Sequence, residues 1–342
     1  MNQKNTTPHS GHETPWSIDV NVLIIFFIRD KVLKETFEAV RKARPRRLLL
    51  WQDGARANRP DDVEKIQRCR EIVENIDWDC EVYKNYQTQN WGCDPSTFYS
   101  HKWAFSIVDK CIVLEDDCVP SQSFFPYCKE LLDRYENDTR INRICGMCQV
   151  DAFDGYPYDY TFASFGSVWG WATWKRVADL WEEDYAYLDD AEIMHLYTSK
   201  YNSKADRKYL QLTQQRKSKG VAHWEQIQTF ARQLNSQLCI IPTVNLIHNI
   251  GFGADSTHSN VKLAEVPPKL RDLFYRPSQE ISFPLRHPKY VFENMEYEKE
   301  YFKITSPSIS SFLSMVGRSF RRLKNGDFKG LWKSFKGRLA KA

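Results

Sequence analysis

Three carboxylates stand side by side in this chain, Glu115-Asp116-Asp117, directly after the apolar run Ile112-Val113-Leu114. At the end of a strand, period-two alternation aims Glu115 and Asp117 to one side and Asp116 to the other. Adjacent like charges repel, so the triplet calls for a cation, and hard oxygen ligands suit Mn²⁺ or Mg²⁺ that also grips a diphosphate. The plainer reading is a solvated acidic turn that caps the next helix, although Ser121 and Ser123 could cap it instead. Polar residues follow the other apolar runs in the same way: Arg29-Asp30, Asp53-Gly54-Ala55-Arg56, and Gln87 to Asn90. Each alone is ordinary loop polarity, but the four together favour a site.

The elements that must position these residues alternate. Strands are expected at Val20 to Ile28, Arg46 to Trp51, Cys80 to Tyr86, Cys111 to Glu115 and Leu238 to Ile241. Helices are expected at Lys31 to Ala43, Asp61 to Ile76, Pro95 to Val108, Ser121 to Tyr135 and Ala222 to Leu234. Strand runs apolar on both faces, separated by helices, predict an α/β fold with a mostly parallel central sheet covered on both sides. Ligands in such sheets sit beyond the carboxyl ends of the strands, where the polar residues fall. The 12 aromatics between Phe153 and Tyr187 read either as core or as flat faces for sugar rings.

Composition narrows the classes. The chain has 342 residues, 42% apolar and 14% aromatic, enough for a buried core. The longest apolar run, Val22 to Ile28, is too short to span a bilayer and lacks the flanks of a secretion signal, so a cytoplasmic protein is expected. Nine cysteines, with Cys145 and Cys148 as one C-x-x-C, read as reduced buried thiols rather than a zinc site, which needs a second pair. The net charge of +4 hides nine Lys/Arg against one Asp in Gly317 to Ala342, which leaves the body acidic and argues against a nucleic-acid partner. No G-x-G-x-x-G or P-loop segment follows a strand, which excludes those dinucleotide and nucleotide folds. The expected organisation is a polar tail over 1–18, two halves of the body over 19–150 and 151–305, and a basic tail over 306–342.

The segment Ile112 to Pro120 with Ser123-Phe124-Phe125 resembles the E-D-D segment of GT-A nucleotide-sugar glycosyltransferases. It is most similar to the N-acetylglucosaminyltransferase I-like branch and its bacterial hemolysin-like or surface-polysaccharide relatives. The resemblance runs over roughly Val20 to Ser259, with Phe27 to Asp30 and Asp53 to Arg56 as donor-site strand ends, Trp169-Gly170-Trp171 as the central Trp segment and Leu238 to Pro242 as the closing strand. It implies a Rossmann-like GT-A sheet, with Arg29, Asp53, Arg56, Glu115 and Asp116 at the donor and Asp117 on Mn²⁺ or Mg²⁺. Glu225, in Trp224-Glu225, takes the place of the catalytic base, with Trp169, Trp171 and Trp224 toward the acceptor. His258 sits in a loop that resembles one closing on the nucleotide, where it would touch metal or diphosphate; a structural hydrogen-bonding role stands beside that.

The function these expectations form is a metal-dependent inverting glycosyltransferase, moving a sugar from a nucleotide diphosphate, UDP by resemblance, to a glycan or lipid-linked acceptor. A sugar nucleotidyltransferase and a catalytically silent glycan-binding domain are the alternatives. In the tail, Ile309, Phe312, Val316, Phe320 and Leu323, then Phe328, Leu331, Trp332, Phe335 and Leu339, form apolar stripes opposite basic faces. That pattern fits an anionic membrane surface on the cytoplasmic side or packing on the body.

Overall fold

A computed structural model describes residues 17–151, 153–251 and 276–305. The strands are β1 Ile18–Phe26, β2 Pro45–Gln52, β3 Glu81–Tyr86, β4 Lys110–Glu115, β5 Cys118–Pro120, β6 Ile141–Cys145, β7 Tyr160–Ala163, β8 Trp171–Trp174, β9 Leu238–Pro242 and β10 Ile247–Asn249. The α-helices are α1 Asp30–Ala43, α2 Asp61–Val73, α3 Cys93–Ala104, α4 Phe124–Arg134, α5 Lys175–Ala178, α6 Ala191–Lys200, α7 Lys204–Ser218, α8 Trp224–Leu234 and α9 Met295–Thr305. Eight strands form one sheet in the order β3-β2-β1-β4-β8-β6-β9-β7, while β5 and β10 pair apart from it.

The first four strands run parallel, with β1 flanked by β2 and β4. Their sequences explain it, since Val22, Leu23, Ile24, Leu48, Leu49 and Leu50 are fully buried from both faces. Each such side chain contributes about 1.5–3 kcal/mol on leaving water. Leu33, Phe37 and Val40 put the apolar stripe of α1 on one face, while Phe98 from α3 and Trp224, Ile227 and Phe230 from α8 cover the other. The turn from α1 into β2 is tight: Arg44 takes a left-handed conformation and donates its N–H to Val40, and Pro45 ends the helical path.

Sheet polarity changes at β8, which runs antiparallel to both β4 and β6, so one sheet continues through both halves of the chain. Gly170 precedes it at φ 57°, where a Cβ would lie 2.3 Å from the Ile247 side chain. That position takes a residue with neither side chain nor left-handed strain.

Candidate active site

The strand order reverses between β1 and β4, and the crevice at that switch point is where ligands of open α/β sheets bind. Register pairs Ile25 with Glu115, so the residues just after each strand meet. Arg29 reaches across with Nη2 donating to Asp117 Oδ2 at 2.8 Å and Nε to Asp116 Oδ2 at 3.3 Å; a further bond joins Nη2 to Asp116 Oδ1. The cation that the acidic triplet requires is thus supplied by the chain itself. The expected alternation also changes: β4 stops at Glu115, and the turn that follows brings Asp116 and Asp117 to one guanidinium. Burial opposes the Arg29 charge, but the two acids outweigh it and hold the guanidinium protonated.

Glu115, at the end of β4, is within reach of the same charges but makes no bond to Arg29 of the kind Asp116 and Asp117 make, so it feels the cluster through its field. Burial, then the charges of Asp117, Asp116 and Glu225, push its carboxyl up to about 8 against the pull of Arg29. Burial raises Asp116 to about 6, with Arg29 opposing. Asp117 is clasped from the far side: Asn249 donates to its Oδ1 at 3.3 Å, and its carbonyl accepts the Ile250 N–H at 2.9 Å. A Cβ on Gly251 would fall 1.9 Å from Asp117 Oδ2, so glycine there makes room for the carboxylate.

Glu225 comes from the other half of the chain. It is exposed in the first turn of α8, close enough for its charge to act on Glu115 and on Cys93 at the start of α3. Trp224 beside it is 3% exposed and anchors that turn by stacking on His101 at 5.6 Å; His101 stacks in turn on Trp171 at 5.3 Å. His223 Nε2 meets Asp94 Oδ1 at 3.2 Å, tying the start of α8 to the start of α3.

Arg29, Asp116 and Asp117 therefore meet directly, and the charges of Asp116, Asp117 and Glu225 act on Glu115. Asp53 and Arg56 stand at the same sheet edge with their polar atoms used by the chain. Asp53 accepts from Gly54 N and Trp91 N at 2.9 Å, Gly92 N at 3.0 Å and Asn90 Nδ2 at 2.9 Å. Burial raises its carboxyl, and these backbone donors oppose the rise. Arg56 forms a two-point ion pair with the fully buried Asp62, both contacts at 2.7 Å. The acceptor expectation is corrected for two tryptophans: Trp171, at 1% exposure, and Trp224 are core, so neither ring can stack on a sugar. Trp169 is half-buried. His258 lies outside the described residues. His223, Asp94 and Trp91 were not singled out in the sequence; only the adjacency of His223 to Trp224-Glu225 pointed toward it.

The carboxylates at the switch point are hard oxygen donors of the class that Mg²⁺ and Mn²⁺ take. Among the described residues no three His, Cys, Asp or Glu side chains group around one point.

No family model matches the chain, and no curated protein matches it. Solved structures with similarity include UDP-glucose pyrophosphorylase complexed with UDP-glucose, at 10% identity and TM-score 0.29 over 48% of this chain and 79% of that one. A second is 4-diphosphocytidyl-2C-methyl-D-erythritol synthase from Anaerococcus prevotii, at 14% identity and TM-score 0.29, covering 47% and 73%. Apo UDP-glucose pyrophosphorylase aligns at 8% identity and TM-score 0.33, covering 65% and 90%. Scores of this size leave the Rossmann-like α/β architecture to be read from the strand order itself.

Proposed function

We propose that this protein is a nucleotide-sugar-dependent glycosyltransferase that inverts the anomeric centre, with Glu225 as its catalytic base. The observation that supports it is the placement of the start of α8: it carries Glu225 in its first turn, is tied to the start of α3 by His223 and Asp94, and lies near enough for the Glu225 charge to act on Glu115. In that reaction an acceptor hydroxyl attacks the anomeric carbon, its proton passes to Glu225, and the bond from that carbon to the diphosphate oxygen breaks. One base, with no second carboxylate assigned as a nucleophile among the described residues, corresponds to a single displacement. Asp117, with Asp116, would hold Mn²⁺ or Mg²⁺, which when bound supplies neutralising charge for the departing diphosphate. A UDP-sugar donor, a glycan or lipid-linked acceptor approaching past Trp169, and attachment of the basic tail to the cytoplasmic membrane face complete the proposal.

A nucleotidyltransferase is the second reading, because the solved structures named above are titled for that chemistry or its relatives. Against it stands the loop after β1, where Phe27-Ile28-Arg29 leads straight into α1 without a glycine and Arg29 is engaged by the acids. Phosphate cradles are built from consecutive free backbone N–H groups in Gly-rich loops.

Incubation with UDP-sugars, Mn²⁺ and either pyrophosphate or glycan acceptors separates the readings. UDP release is expected for a glycosyltransferase; pyrophosphate-dependent UTP formation would establish the second reading, and nucleotide binding without turnover a silent domain. Glu225→Gln is expected to lower turnover on the order of 10²-fold or more at unchanged donor affinity. Turnover within a few-fold of the unaltered protein would place the base elsewhere.

A further inference from the structure

We propose that Arg143 is a positioning residue for the base of the reaction: its buried guanidinium locks the start of α8 onto the sheet and so fixes where Glu225 stands. The inference rests on the reading above that makes Glu225 the base, and it extends the site into the core beneath that residue.

Arg143 lies in the middle of β6, between β8 and β9, and is 1% exposed. Its Nε donates to Asn142 Oδ1 at 3.0 Å, Nη2 donates to Gln228 Oε1, and Nη1 is buried without a bond. Asn142 is held in turn, donating to Gln237 Oε1 at 3.0 Å, so the guanidinium is anchored on the strand side. Both of its acceptors are neutral amides. No bonded carboxylate offsets the charge, and burial pulls the guanidinium below its ordinary value. Packing alone does not call for a charge there, since methionine would fill a similar length without one.

Two routes lead from this group to the start of α8. The first is the bond to Gln228, one turn after Glu225. Glu225, Gln228 and Arg232 follow one another at i, i+3 and i+7 and so share one face of the helix, on which Gln228 and Arg232 are buried and Glu225 is exposed. A hold on Gln228 therefore fixes the rotation of α8 and the direction in which Glu225 projects. The second route runs through rings. The guanidinium carbon lies 4.6 Å from the centre of the Trp171 ring, Trp171 stacks on Trp224 at 6.4 Å, and Trp224 immediately precedes Glu225. One guanidinium thus grips the helix on both sides of the base, at 224 and at 228. The charge of Glu225 also acts on Arg143, in favour of its protonated form, while Arg232 opposes it.

Amide hydrogen exchange over residues 223–228 and UDP release from UDP-sugars with Mn²⁺ and glycan acceptors test this on the full chain, on Arg143→Met and Gln228→Leu, and on each combined with Glu225→Gln. Exchange over 223–228 should quicken on the order of tenfold in both single variants, as the bond to a charged donor is lost. Turnover should fall by about 10- to 100-fold at unchanged UDP affinity, the effect of a misplaced base. With Glu225→Gln already present, neither change should lower turnover further. Gln228→Leu leaves the guanidinium in place, so it carries the test if Arg143→Met does not fold. Unaltered exchange over 223–228 in the folded variants overturns the inference. So does an equal loss of turnover with and without Glu225→Gln, which would make Arg143 a general support of the fold. If the unaltered chain releases no UDP, or Glu225→Gln does not slow it, the base reading itself fails and the role of Arg143 toward a base falls with it, whatever the exchange shows of its hold on α8.

Discussion

Arg29 shows how one residue changes the meaning of its neighbours. Three adjacent acids call for a cation, and the guanidinium at the end of the next strand answers, so the repulsion between Asp116 and Asp117 is no longer by itself an argument for a metal. His101 shows a different physical constraint. It lies fully buried against the stacked rings of Trp171 and Trp224 with Nδ1 2.7 Å from the Thr97 carbonyl, and burial pulls its imidazole down from 6.5 to about 4. Folded, the ring stays neutral to lower pH than it does unfolded, so the unfolded chain binds the extra proton in that window. The stability due to neutral His101 is whole above pH 6.5 and is lost as pH falls toward 4, by about 3 kcal/mol across the window. Denaturant midpoints at pH 7, 5.5 and 4.5 should therefore fall more steeply for the unaltered protein than for His101→Phe. Parallel decline in both would assign the acid sensitivity to other groups.

At the scale of elements, the pairing of β5 with β10 carries the site's second wall. Asn249 stands opposite Cys118 in that pair, and the chain leaves it over Asp117 with Gly251 in contact with the carboxylate. Gly251→Ala should drive the Asp117 carboxylate away from Arg29 and lower metal-dependent UDP affinity on the order of tenfold, at a stability cost of about 1–3 kcal/mol for overpacking. Nucleotide titration and thermal melting of the variant measure both, and unaltered affinity would separate Asp117 from the nucleotide. The parallel strands β1, β2 and β4 were legible because their apolar runs are nearly continuous, although β1 starts two residues earlier and stops two residues sooner than the pattern suggests. β8 was not, because Trp171 to Trp174 reads as an aromatic segment until β4 and β6 flank it. The helices α6 and α7 also escaped notice, although Ser203 and Asp206 form a reciprocal cap at the start of α7.

For the whole molecule, the single sheet brings residues 115 and 225 to one crevice although 110 positions separate them in the chain. Among the described residues no helix is long and apolar enough to cross a membrane. The basic tail lies outside the described residues, and its attachment to anionic lipid is a proposal from its sequence. Each near-surface Lys or Arg contributes about 1 kcal/mol toward anionic lipid, screened within about 10 Å at 0.1 M salt. Full-length protein should co-sediment with anionic vesicles at low salt and release as salt rises, while a chain ending at Pro307 should stay in solution. If both forms stay in solution, the tail packs on the body or binds a protein.

What the sequence determined by itself is the alternation of buried strands and amphipathic helices, and with it the class of sheet and the acids at its carboxyl edge. Periodicity and burial are local properties, so they survive in one dimension. Only tertiary structure decided which polar groups face a ligand and which face one another. Asp53 and Arg56 read like binding residues until the loop backbone and Asp62 take their hydrogen bonds. Trp171 and Trp224 read like sugar platforms until their buried rings stack on one another at 6.4 Å and on His101. A side chain's partners come from distant segments, and no spacing in the chain records that Arg29 meets Asp117 or that the charge of Glu225 acts on Glu115.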